Sequence, residues 1–112
     1  ASYLINLASP DDTLWQQSIG LMRIEIERCE ALGIPYLVHH PGAATTSTAE
    51  AGLRRIAEAY RVIFSQTRGF ATVCCLEDTV GGGSTLGRTF EELAVLRGMI
   101  VEATGEPARV GF

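Results

Sequence analysis

The chain has 112 residues, 46% of them hydrophobic and 20% charged, a balance that excludes a disordered or fibrous polypeptide and supports one small hydrophobic core. Its net charge of −4 speaks against a broad nucleic-acid-binding surface, which is ordinarily basic, but leaves room for a local basic or metal-bearing face. Apolar runs reach only about seven residues against the ~20 needed to cross a bilayer, and no basic start leads into an apolar stretch, so neither membrane association nor a secretory signal is expected.

Cys29, Cys74 and Cys75 are odd in number and show no C-x-x-C spacing. That pattern predicts free, buried, small apolar residues in a reducing cytoplasm rather than a disulfide framework. The chain does not begin with Met, which reads as a piece of a longer protein.

In chain order, Ser2 to Leu7 is short and mostly apolar and ends on a Ser-Pro breaker, as a buried strand does. Ser9 is placed to cap a helix, with Pro10 at its first position and Asp11 and Asp12 at the positive end of its dipole. Leu14, Trp15, Ser18, Ile19, Met22, Ile26 and Cys29 recur at three- and four-residue steps as one apolar stripe. Gly33 falls where a left-handed helix stop is expected. Ile34 to His40 reads as a second strand. Its apolar residues do not alternate, which predicts a parallel strand covered on both faces.

Pro41-Gly42 ends that strand, and residues 43 to 48 read as a loop. Ser47 and Glu50 have capping-box spacing. Leu53, Ile56, Ala57, Tyr60, Ile63 and Phe64 line the next helix, with Gly69 closing it. Ala71 to Glu77 is a third continuously apolar strand, and Asp78 to Arg88 a Gly-rich loop. Thr89 and Glu92 repeat the capping-box spacing at the head of a helix carrying Phe90, Leu93, Ala94 and Leu96 and running to about Ala103. Gly105 and Pro107 break it, and Arg109 to Phe112 opens a fourth strand. The order βαβαβα(β), with helices of roughly 15 to 22 residues, implies right-handed crossovers and a parallel α/β sheet.

In such a sheet, ligands bind at the carboxyl ends of the strands. His40 and Glu77 stand at two consecutive strand ends, expected ~4.8 Å apart as neighbours. An imidazole and a carboxylate suit zinc, although a firm site wants three or four protein ligands. The plainer readings are a loop-bonding His40 and a salt-bridged Glu77. His39 points to the other face and is expected to pack or to hydrogen-bond a helix. Asp78 faces away from Glu77 and reads as a loop or helix-side acceptor. Gly81-Gly82-Gly83-Ser84 lacks both the P-loop spacing and its lysine, for the chain has no Lys. It reads as a loop that allows close backbone approach. No Ser-His-Asp spacing stands out.

S-Y-L-I-N-L (Ser2 to Leu7), R-C-E-A-L-G (Arg28 to Gly33), H-P-G (His40 to Gly42), L-E-D-T-V-G-G-G-S-T-L-G (Leu76 to Gly87) and R-V-G-F (Arg109 to Phe112) together resemble consecutive landmarks of the endonuclease IV family, zinc-dependent apurinic/apyrimidinic endonucleases. The likeness covers essentially the whole chain, in order. It implies that residues 1–112 are part of a TIM (β/α)8 barrel of the xylose isomerase superfamily, about three β/α units of parallel sheet with flanking helices and no second domain. A whole barrel takes ~250 residues.

The resemblance further implies a DNA-repair enzyme that cuts duplex DNA 5′ to abasic sites with a cluster of three zinc ions. It makes His40 a ligand of one zinc and Glu77 a catalytic carboxylate bridging two. Asp78 stands where the family often has Asn, a near-isosteric change that adds negative charge. The family's other ligands would lie outside these residues: a His just ahead of the S-Y-L-I-N-L stretch, an Asp and a His in a D-T-C-H-like motif after R-V-G-F, and more in the last strands. The isolated chain is therefore expected to be inactive and to bind zinc weakly. The parent is expected to be monomeric, and a fragment to associate through open sheet edges. Two alternatives stay open: a piece of a divalent-metal sugar isomerase or epimerase of the same superfamily, and a non-catalytic half-barrel.

Overall fold

The computed structural model describes residues 5–44, 48–77 and 89–112. In chain order these form α1 (Asp12–Leu32), β1 (Tyr36–His39), α2 (Ala49–Gln66), β2 (Val73–Leu76), α3 (Phe90–Thr104), a 3-10 turn (Pro107–Arg109) and β3 (Val110–Gly111). The strands form one parallel sheet in the order β1-β2-β3, so consecutive strands are neighbours as the alternating pattern requires. Of the expected first strand, Ser2, Tyr3 and Leu4 lie outside the described residues. Ile5 and Asn6 carry no strand pairing, and Leu7 sits buried in a turn.

The helix ends follow local chemistry, with shifts from expectation. Asp11, not Ser9, caps α1, its Oδ1 accepting from the Leu14 N–H at 3.0 Å. A carboxylate there meets the orphan N–H groups and the dipole together. Ser9 Oγ instead accepts from the Asp11 N–H at 3.2 Å, and Pro10 stays outside the helix. Gly33 closes α1 at φ 71°, the left-handed stop expected of it. Thr48 caps α2 through the Ala51 N–H at 3.1 Å, while Ser47 lies outside the described residues. That helix ends at Gln66, so Gly69 belongs to the turn beyond it. Thr89 caps α3 through the Glu92 N–H at 3.0 Å, and Gly105 stops it, both as expected.

Each strand is shorter than its apolar run. One sheet face carries the buried Cys74, Leu76 and Val110, which join Ile19, Met22, Ile26, Ile56, Tyr60, Ile63, Phe64, Leu93 and Leu96 in a single core. Each large apolar side chain so buried contributes about 1.5–3 kcal/mol before the opposing chain entropy. Leu14 drops out of the α1 stripe and is 53% exposed. The expectation that the strands are covered on both faces is not met among the described residues. Tyr36 and Val38, which alternate with Leu37 and His39, are 62% and 57% exposed. The helices cover one face only, and strand alternation turns every second β1 residue to the other. No helix among the described residues is long and apolar enough to cross a membrane.

Candidate metal centre

The register sets the site. His39 pairs with Leu76, and the Glu77 N–H donates to the His39 carbonyl at 2.9 Å, carrying the ladder one step past the strands. His40 and Glu77 therefore leave adjacent strand ends side by side, on the carboxyl rim of the sheet. His40 Nε2 lies 3.3 Å from Glu77 Oε1, with the side chains 68% and 49% exposed. An exposed pair of this kind contributes little to stability, at most about 1 kcal/mol, and is an ion pair only while His40 is protonated. Its imidazole nitrogen and carboxylate oxygen form a donor set that fits zinc. No group of three or more His, Cys, Asp or Glu side chains converges for a metal among the described residues. The pair by itself offers two donors, one nitrogen and one oxygen. Asp78 and the Gly81–Ser84 stretch lie outside the described residues.

His39 faces the helices, as strand alternation requires. Its Nδ1 meets the His40 carbonyl at 2.9 Å, its Nε2 meets the Tyr60 hydroxyl, and its ring stacks on Tyr60 with centroids 5.8 Å apart. A carbonyl only accepts, so Nδ1 carries the hydrogen and Nε2 accepts from the Tyr60 O–H. Burial pushes the His39 imidazole down to about 4, which keeps this tautomer neutral. Burial likewise raises the Tyr60 hydroxyl well above its ordinary range and pushes the Cys74 thiol up to about 12. Cys29, Cys74 and Cys75 are free thiols; the first two are buried as expected, but Cys75 is only half-buried, on the open face of the sheet.

One residue near the site escaped sequence reasoning. Asn6 Oδ1 accepts from the Ala43 N–H at 3.0 Å and the Ala8 N–H at 3.1 Å, while its Nδ2 donates to the Ala43 carbonyl at 3.0 Å. It holds the loop that follows His40. The available signal was a lone amide inside an apolar run, with a glycine two residues after His40.

Residues 1–108 match the family described as xylose isomerase-like TIM barrel. The chain is 50% identical over 95 residues to a protein of Chloroflexus aurantiacus named probable endonuclease 4, covering 85% of this chain and 33% of that protein. It is 43% identical over 107 residues to the Geobacter sulfurreducens protein of the same name, covering 96% and 35%. It is 41% identical over 110 residues to that of Trichlorobacter lovleyi, covering 98% and 38%. The parallel sheet with helices between its strands is the architecture of part of an α/β barrel. The chain belongs to the xylose isomerase-like TIM-barrel family, and within it to the endonuclease IV family. It spans about a third of the length of the curated relatives it matches.

Proposed function

We propose that the protein carrying this chain is a zinc-dependent DNA-repair endonuclease that hydrolyses the backbone of duplex DNA on the 5′ side of abasic sites. One observation carries the reading: an imidazole nitrogen and a carboxylate oxygen meet at 3.3 Å at the ends of two parallel strands, where this barrel fold keeps its chemistry. The relatives' name, probable endonuclease 4, points to the same reaction class. Residues 1–112 then form one partial barrel domain, and the free thiols fit a reducing cytoplasm.

In this reading Glu77 would hold two zinc ions and be the catalytic carboxylate of this segment, and His40 would be a ligand of one of them. Zinc, when bound, acidifies water and stabilises the charge that develops on the attacking water oxygen and the leaving sugar oxygen. His39 donates to the His40 carbonyl and accepts from Tyr60, which holds the end of β1 against α2 and fixes where His40 starts. The substrate nucleotide leaves the duplex at least cost where no base pair must break, as at an abasic site.

The test is incision of a duplex bearing one abasic residue by the full-length protein. A nick on the 5′ side, abolished by a chelator and restored by zinc, is expected. An intact duplex, or cleavage indifferent to the chelator, contradicts the reading.

A further inference from the structure

We infer that Asn6 is a positioning residue for the His40–Glu77 pair, acting through the turn that carries the chain away from His40. The inference concerns the direction of that turn; its consequence for metal binding rests on the reading proposed above.

The observations are these. The Asn6 backbone N–H donates to Ser18 Oγ on α1 at 2.9 Å, and Ser18 is buried. Asn6 is therefore anchored to a helix before its side chain reaches the loop. Its carboxamide then contacts Ala43 at two points, accepting from the N–H and donating to the carbonyl. Two opposed hydrogen bonds fix the orientation of a residue, where one would fix only a distance. The second contact of Oδ1, with the Ala8 N–H, occupies its remaining acceptor site and prevents the amide from rotating.

Gly42 completes the arrangement. It sits at φ 140°, and a Cβ there would lie 2.7 Å from Asn6 Oδ1 and 3.2 Å from the Ala8 backbone nitrogen. The amide can approach only because residue 42 has no side chain. His40 is thus held from both sides. The His39 ring and the β1–β2 ladder fix it on the strand side, and Asn6 fixes it three residues later through Ala43. Pro41 lies between and adds its own restricted φ. Partners hydrogen-bonded directly to metal ligands typically govern affinity by 10–100-fold, and Asn6, which acts one step further out through Ala43, is expected at the lower end, about tenfold.

The experiment uses the full-length protein with Asn6→Asp, Asn6→Ala and Gly42→Ala. Asn6→Asp keeps the shape and the acceptor but loses the donor to the Ala43 carbonyl. Gly42→Ala attacks the same contact from the opposite side. Three quantities are read: melting of the metal-free protein, zinc affinity by competition with a chromophoric chelator, and the His40–Glu77 distance in a metal-free crystal structure. The expected result is a folded Asn6→Asp protein that binds zinc about tenfold more weakly, with the His40–Glu77 contact opened. Gly42→Ala should reproduce both effects. Unchanged affinity and an intact contact in variants that merely melt earlier would overturn the inference, leaving Asn6 a stabilising residue only. Failure of all three variants to fold would also count against it. A wild-type protein that binds no zinc would defeat the proposed function instead, and the crystallographic contact would then decide the role of Asn6.

Discussion

Arg109 is 6% exposed, donates from Nη2 to Thr67 Oγ1 at 2.8 Å, and lies 4.0 Å over the Phe64 ring. Glu106 stands 3.5 Å from its Nη1. Its main partners are about forty residues away in the chain, so no local pattern could reveal that the charge is buried. Buried charges persist when paired or hydrogen-bonded, and here the Thr67 bond, Glu106 and the Phe64 ring offset the burial while Nε and Nη1 make no hydrogen bond among the described residues. Arg109→Ala is expected to cost about 2–4 kcal/mol in urea denaturation, through lost packing on Phe64 and the lost hydrogen bond to Thr67 Oγ1, whose hydroxyl keeps its bond to the Ile63 carbonyl. A loss under about 0.5 kcal/mol, the level of an ordinary surface change, would show the contacts to be idle. His39 and His40 are the opposite case. The two-residue period of a strand was enough to send one to the helices and the other to the rim.

At the scale of elements, type and order were legible because long apolar stripes and glycine stops are strong signals. The ends were less so. Ser9 and Asp11 are equally able to cap, and the choice depends on how the preceding turn packs. The link between α1 and the approach to β2 was not legible at all. Near the end of α1, Glu30 Oε1 accepts from the Thr72 N–H at 3.1 Å, the Ala71 N–H at 2.9 Å and the Thr72 hydroxyl at 3.1 Å. These bonds, the Thr72 N–H first, hold the Glu30 carboxyl below its ordinary range against the opposing effect of desolvation. A carboxyl lowered on folding stabilises the native state above its unfolded pKa, and that contribution disappears as pH falls through the folded value. Glu30→Gln should therefore melt earlier than wild type at pH 7, with the gap closing below the ordinary carboxylate range. A gap that is constant down to strongly acidic pH would show that charge is not what Glu30 contributes.

At the scale of the molecule, the βαβαβα(β) pattern was enough to place the sheet, its parallel sense and the rim where ligands gather. Composition argued in the other direction, since a net charge of −4 is poor for a DNA-binding surface. In the proposed reading a bound cation cluster would supply local positive charge that a residue count does not register. The open sheet face was not legible either. Tyr36 and Val38 read as core residues, yet they are exposed, on the face that barrel closure turns inward. The juxtaposition of His40 and Glu77 was legible in the sequence, because strand register alone brings them side by side.

The central claim, that the rim side of the strand ends carries the chemistry and the helix side supports it, is tested by comparing two variants of the full-length protein. Incision of abasic duplex at saturating zinc should fall about a thousandfold or more in Glu77→Gln, which in the proposed reading would lose the catalytic carboxylate, and about tenfold in His39→Ala, which would lose only support behind His40. Equal losses in the two variants would contradict the assignment of faces and, with it, the account of the site.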